Sequence, residues 1–278
     1  MKFGVGEPAT RVEDPKLLRG LGRYSDDINE PGQARAYFVR SPYPSARILN
    51  IDADEALSAP GVLAVFTGQD VHEDGLGDLP CLIAKLRPQT RPDGTAMYVP
   101  SRAAIMRDEV AFVGDIVAMV VAQTHAQARD AAELIVVDYD ERPANTDTRR
   151  ARDPQTPPVW QDCPDNVCFR FDLGDRAAVD RAFATAHHIT SLTVPVSRVA
   201  MNPMEPRAVI GAYDPREERY TLITGNQMPH DLRYLLAEEI FHVPETAIRV
   251  VSPDMGGAFG LRSTTFPELV AAMWAAKK

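Results

Sequence analysis

Residues 248–260 constrain this chain more than any other stretch. An apolar strand, Ile248 to Ser252, runs directly into Pro253-Asp254-Met255-Gly256-Gly257-Ala258-Phe259-Gly260, a loop with three glycines and one phenylalanine. Glycine there permits positive φ and lets the main chain approach a ligand with no Cβ in the way. Successive exposed N–H groups in such a turn form a concavity suited to anions. The spacing is not G-x-G-x-x-G and no Gly-Lys-Ser/Thr follows, so neither the dinucleotide fingerprint nor the phosphate loop applies. A plain strand-to-helix turn is the simpler alternative. The strand predicted before this one ends on Gly225-Asn226-Gln227-Met228-Pro229-His230, a second loop of unusual chemistry.

Size and composition exclude several function classes. With 278 residues the chain has room for two domains and a sizeable core. No run of 18 apolar residues exists, so no transmembrane helix is expected. The amino-terminal residues carry no apolar core of signal-peptide length, which makes the cytoplasm the expected location. A net charge of -9 argues against nucleic acid as a partner. Cys81, Cys163 and Cys168 fit a reducing compartment, and no second cysteine pair completes a zinc or iron–sulfur set. The histidines form no i,i+4 pair with a carboxylate, so no metal ligands are assigned. No Gly-x-Ser-x-Gly elbow is present, which disfavours a nucleophilic hydrolase.

Hydrophobic patterning predicts strands over residues 34–40, 46–51 and 62–66, with a short helix over 52–58 that Pro60-Gly61 ends. Residues 1–30 read as irregular and residues 72–106 as loop-dominated. Asp115 to Ala122 reads as a strand and Thr124 caps a helix, with Gln127 completing a capping box. Residues 135–139 then read as a further strand, giving a strand–helix–strand crossover on a mixed sheet. Between Glu141 and Cys168 the prolines and charges read as a linker. A helix follows over 175–186 with Val179, Ala182, Phe183 and Ala186 on one face. Strands are predicted over 188–198, 204–213 and 219–224, a helix over 229–241, and a terminal helix over 264–278 with Pro267 in its first turn. Leu269, Val270, Met273 and Trp274 give that last helix an apolar face, for which a covering partner, or a longer polypeptide, is expected.

Gln227 combines two donors and an acceptor without charge, which suits contact with a polar ligand atom; capping the following helix is the simpler alternative. Met204-Glu205-Pro206-Arg207 places a charged pair beside a rigid proline, most simply an ion pair holding a bend.

Three ordered motifs resemble one family: Met204-Glu205-Pro206-Arg207, Gln227-x-Pro229-His230-x-x-Arg233, and Ser252-Pro253-Asp254-x-Gly256-Gly257-x-Phe259-Gly260. Together they resemble the molybdenum-binding subunit of the xanthine dehydrogenase/aldehyde oxidase family, nearest the large subunit of aerobic carbon monoxide dehydrogenase. Arg40-Ser41-Pro42, Ala46-Arg47-Ile48, Pro60-Gly61-Val62 and Val113-Gly114-Asp115-x-Val117-Ala118 agree in the other half.

The resemblance implies an α+β protein. An amino-terminal segment plus an α/β hammerhead domain would occupy residues 1–145, a linker 146–168, and the first, incomplete part of a mixed α+β molybdopterin-binding domain 169–278. It implies that Gln227, Gly256, Gly257, Ala258, Phe259 and Gly260 contact a molybdenum–molybdopterin cofactor in its cytosine dinucleotide form. It further implies oxidative hydroxylation with water-derived oxygen, with electrons passing to iron–sulfur clusters and FAD on partner subunits, and a chain supplying the rest of the molybdenum domain. In the family the glutamate base and the substrate loop lie beyond residue 278, so no catalytic residue is assigned. Ala258 stands where glycine is usual, and Arg262 where lysine is frequent. An alanine forced to positive φ carries a cost. That departure, together with a sequence ending before the family's base and substrate loop, motivates the alternative, a non-catalytic assembly module that docks partner subunits without molybdenum.

Overall fold

The computed structural model describes residues 4–6, 10–197 and 199–278. Arg198, and residues 1–3 and 7–9 of the irregular amino-terminal segment, lie outside the described residues. The strands are β1 (Arg35–Arg40), β2 (Ala46–Asp52), β3 (Val62–Thr67), β4 (Glu109–Val110), β5 (Ile116–Ala122), β6 (Val136–Glu141), β7 (Ile210–Asp214), β8 (Arg219–Ile223) and β9 (Ile248–Val251). The α-helices are α1 (Asp14–Leu17), α2 (Asp54–Leu57), α3 (Gly68–Glu73), α4 (Leu82–Leu86), α5 (His125–Ala132), α6 (Arg176–Thr185), α7 (Pro229–Leu235) and α8 (Pro267–Ala275).

The amino-terminal half is built on two antiparallel sheets, ordered β1-β5-β3 and β4-β2-β6. β5 is apolar along its length and almost wholly buried, because neighbouring strands cover both its edges and side chains cover both its faces. α5 packs its alanines Ala128, Ala131 and Ala132 against Val120 and Ala122. Thr124 caps that helix by accepting the Gln127 N–H at 3.2 Å. The Gln127 side chain meets the Thr124 hydroxyl instead of its N–H, so the expected capping box is half formed.

The expected crossover on a mixed sheet is corrected here. β5 and β6 belong to different sheets, and every pairing in both is antiparallel. Strand–helix–strand order does not specify which neighbour each strand takes; apolar faces on both β2 and β5 allowed two sheets to close over the Ala46, Val110 and Val117 cluster.

The segment after β6 is tied to the loop before it. Arg91 donates twice to Asp165 at 2.9 Å, and to the Val167 carbonyl at 2.6 Å. The Tyr98 N–H reaches the Cys168 carbonyl at 2.8 Å.

In the carboxyl half, β7 pairs antiparallel with β8, and β8 pairs parallel with β9 through α7. Leu222, Leu232, Leu236, Ile240 and Ile248 form the core between sheet and helix. α7 passes into a π-helical turn, Leu236–Phe241, and ends on His242 at φ 52°. The predicted strand over 188–198 is also corrected: none of the described residues 188–197 joins a strand, and all are exposed. The strand predicted over 204–213 shrinks to β7. The apolar face of α6 is likewise open, with Val179 and Phe183 exposed.

α8 overturns the expectation of an uncovered terminal helix. Leu269, Val270 and Met273 enter the carboxyl-half core, while Ala271 and Trp274 enter the other half beside Ile105, Ile116 and Met119. The Trp274 ring lies 4.8 Å from that of Phe66, and its indole N–H donates to Asp74 at 2.6 Å. A Cβ on Gly211 would sit 2.4 Å from the Ala272 carbonyl oxygen, so β7 approaches the helix this closely only as glycine. The helix is the shared wall of both halves, so its partner is the chain itself.

Candidate functional site

β8 and β9 run side by side in the same direction, so the segments leaving their carboxyl ends emerge together. In open sheets with parallel strands that is where ligands bind. The ladder continues beyond both strands. The Thr224 N–H donates to the Val251 carbonyl at 3.0 Å, and the Ser252 hydroxyl bridges the Asn226 N–H at 3.1 Å and the Asn226 carbonyl at 3.2 Å. Asn226 then accepts the Met228 N–H at 2.7 Å, turning the chain into Pro229, the first residue of α7. Asn226, buried and not singled out by its motif, therefore makes this turn; Gln227 does not cap the helix. The Gln227 N–H donates to the Arg262 carbonyl at 2.9 Å, fixing its backbone beside the exit of the glycine loop, and its side chain faces solvent.

The glycine loop has an unusual backbone. Gly257 has φ 109°, Phe259 φ 51° and Gly260 φ 83°. Ala258 is not among the positive-φ residues, so the alanine sits in an ordinary conformation and carries no such cost. Phe259 takes the left-handed position instead, which is strained for a bulky side chain by about 1 kcal/mol or more. That ring is 73% exposed. Burial does not offset this strain, a combination that concentrates at ligand sites.

Hydrogen bonding separates the loop residues. Gly256 donates to a Glu205 carboxylate oxygen at 2.8 Å, so its N–H is already used. A Cβ there would lie 2.5 Å from that of Glu205, which explains glycine at this position. The N–H groups of Gly257, Ala258, Phe259 and Gly260 have no partner among the described residues. Four consecutive donors without acceptors, at the rim of two parallel strands, form a cradle for an electron-rich ligand.

A buried ion pair holds the cradle. Arg262, 2% exposed, donates to the Glu205 carboxylate at 2.7 Å and to the Glu205 carbonyl at 2.5 Å. This corrects the pairing expected within Met204-Glu205-Pro206-Arg207. Arg207 points away and stacks on the Phe266 ring at 3.5 Å, where burial pushes its guanidinium pKa down. Proline rigidity keeps the two side chains apart; the partner of Glu205 lies 57 positions away. A Cβ on Gly225 would sit 2.4 Å from the Arg262 guanidinium, so the Gly225 turn is also shaped around this arginine. The Nε of Arg262 is buried without a partner among the described residues.

The amino-terminal segment straps the outside. Asp254 accepts from Lys16 at 2.5 Å and from the Arg23 N–H at 2.7 Å. The Lys16 hydrogen bond, helped by the Arg23 N–H, holds the Asp254 carboxyl below its usual range. Ser25 receives the Gly225 N–H at 3.2 Å. Ser25 and Lys16 gave no motif signal as members of one site, and Arg262 stood out only as a departure from the family pattern, because their partners are distant in sequence.

The comparisons with known proteins agree with this geometry. Residues 19–143 match the aldehyde oxidase and xanthine dehydrogenase a/b hammerhead domain, and residues 159–278 match the molybdopterin cofactor-binding domain. The chain belongs to the aldehyde oxidase/xanthine dehydrogenase family. It is 37% identical to the nicotine 6-hydroxylase large subunit of Paenarthrobacter nicotinovorans over 95% of this chain and 31% of that one. It is 32% identical to the carbon monoxide dehydrogenase large chain of Afipia carboxidovorans, over 97% of this chain and 33% of that one. Among solved structures, quinoline 2-oxidoreductase from Pseudomonas putida 86 superposes with a TM-score of 0.85 at 32% identity, covering 98% of this chain and 33% of that one. The chain thus spans about a third of the length of these relatives. The expected fold class, a hammerhead followed by a mixed α+β molybdopterin-binding portion, stands.

Proposed function

We propose that this chain is the cofactor-cradling part of a molybdenum hydroxylase large subunit, inactive alone. The observation that carries the proposal is the run of four N–H groups, from Gly257 to Gly260 beside Gln227, that have no partner among the described residues. These groups fit a molybdopterin: main-chain donors hold electron-rich atoms without adding charge, and the Gln227 amide offers a neutral contact. When bound, the group supplies Lewis acidity and redox capacity for oxidative hydroxylation with water-derived oxygen. The chain's own residues supply position. Glu205 and Arg262 set the loop, and Gly257 to Gly260 donate.

The cytosine dinucleotide form, the iron–sulfur and FAD-bearing partner subunits, and the division at residues 145 and 168 are parts of the same proposal. They rest on the sequence resemblance. No helix among the described residues is long and apolar enough to cross a membrane; the cytoplasmic location is a further part of the proposal. The non-catalytic alternative rested in part on Ala258, and the ordinary backbone of that residue removes that part of its motive.

Elemental and pterin analysis of the chain purified with its natural partners tests the proposal. Stoichiometric molybdenum with an extractable pterin is expected. An assembly free of both would leave only the docking module standing, and turnover by the isolated chain would overturn its dependence on partners.

A further inference from the structure

Arg207 is an arginine with its face occupied and its edge idle. The guanidinium stacks on the Phe266 ring at 3.5 Å, and burial pushes its pKa down. Its one ion-pair contact among the described residues is with Glu268 at 3.9 Å, too long for a hydrogen bond. Glu268 shows the complementary gap. Its Oε1 accepts from Arg40 at 2.6 Å, while its Oε2 is buried with no partner among the described residues. Arg102 is a third unfinished group: its guanidinium stands 5.6 Å from the Phe112 ring centre and makes no ion pair or hydrogen bond among the described residues.

These side chains line one cleft between the two halves of the chain. β1 supplies Phe38 and Arg40, the segment before β7 supplies Arg207 and Val209, and Phe266, Glu268 and Leu269 come from the start of α8. Two chambers, of about 360 Å³ and 190 Å³, share Arg40, Arg207, Phe266 and Glu268. Arg102 and Asp115 belong to the smaller one. Phe38, Val209 and Leu269 make the larger one mainly apolar, and a cavity of roughly 150 Å³ already holds a benzene-sized ring. Three guanidinium groups face two carboxylates, Glu268 and Asp115, which leaves a formal surplus of one positive charge. Asp115 is committed to the fold, since its Oδ2 takes the Ala111 and Phe112 N–H groups at 2.8 and 3.2 Å.

We infer that this cleft binds a small organic monocarboxylate with a hydroxyl beside the carboxylate and a ring-sized apolar body. The carboxylate takes the planar fork of Arg207 and the N–H groups of Arg102. The hydroxyl donates to Glu268 Oε2, and the body fills the larger chamber against Phe38, Val209 and Leu269. Charge and shape select this class. A phosphate carries about 1.5 to 2 negative charges at neutral pH, more than the surplus, and has nothing to fill the apolar chamber. A neutral alcohol would leave Arg207 uncompensated. None of the lining residues belongs to the glycine loop, so the inference goes beyond the proposed function and does not depend on a bound pterin.

The test is calorimetric titration of the assembly purified with its natural partners. Four probes separate the contacts: mandelate, which is an aromatic α-hydroxy acid; phenylacetate, which lacks the hydroxyl; styrene glycol, which lacks the carboxylate; and inorganic phosphate. One mandelate per chain is expected, with each of the other three weaker by about tenfold or more. Arg207→Gln and Arg102→Gln are each expected to weaken mandelate by about tenfold or more. Arg102 has no side-chain partner to lose, so Arg102→Gln decides the matter if Arg207→Gln fails to assemble. Mandelate held elsewhere, at the reaction centre for example, would keep its affinity in both variants, and that result would overturn the inference. So would the absence of saturable mandelate binding, or phenylacetate, styrene glycol or phosphate binding as tightly as mandelate.

Discussion

Met204 and Glu205 are neighbours in the chain and opposites in the fold. Residues 171–204 expose most of their large apolar side chains, whereas residues 205–262 are held by this chain's own atoms. Glu205 alone takes bonds from Gly256 and Arg262 on one carboxylate oxygen, and its carbonyl takes another from Arg262. The difference teaches that the loop proposed to cradle a cofactor is preformed by local closure, while the tract before it is left open by the described residues.

The largest expected effect would come from breaking the closed side. Glu205→Leu leaves the buried Arg262 guanidinium with a backbone carbonyl but no countercharge, and should destabilise the isolated chain by about 3–5 kcal/mol in chemical denaturation. Arg207→Ala, which removes a stacked arginine outside that pair, should cost about 1 kcal/mol. Equal losses would mean that the two arginines share Glu205.

A paired truncation sharpens the contrast between closed and open. Leu222→Ala, in the core between β8 and α7, should cost about 2–5 kcal/mol, whereas Val196→Ala should stay within about 0.5 kcal/mol in the isolated chain. Comparable costs would show that the open tract is packed after all.

The smallest effect concerns the amino-terminal strap. Asp254 has a pKa below its ordinary 3.8 in the folded chain, chiefly through Lys16. Its contribution is therefore complete at neutral pH and is lost as pH falls through that lowered value. Amide exchange of residues 16–25 should speed up only in that acidic window, and Lys16→Ala should remove the transition. A strap loosening near neutral pH would assign its hold to other groups.

Much of this was legible beforehand. β1, β2, β3, β5 and β9 fall where periodicity placed them, as do α5, α6 and α8, because each carries its own local pattern and stop signal. The glycine loop was legible as a loop for the same reason. Its internal division was not. That Gly256 is spent on Glu205, while the next four donors have no partner among the described residues, depends on a carboxylate 51 positions away. Likewise Val179 and Phe183 read as a face to be buried, and nothing in a helical period says whether the covering atoms belong to the same polypeptide.

Sequence by itself determined most of the elements, the turn chemistry at Gly225 and Gly256 to Gly260, and the family, since these rest on residue types at short, fixed spacings. Tertiary structure decided the rest: two antiparallel sheets in place of one mixed sheet, Arg262 as the partner of Glu205, and α8 as a wall shared by both halves. Those outcomes depend on which apolar faces and buried charges meet across long stretches of chain, and burial energy rewards area and pairing without regard to order along the backbone.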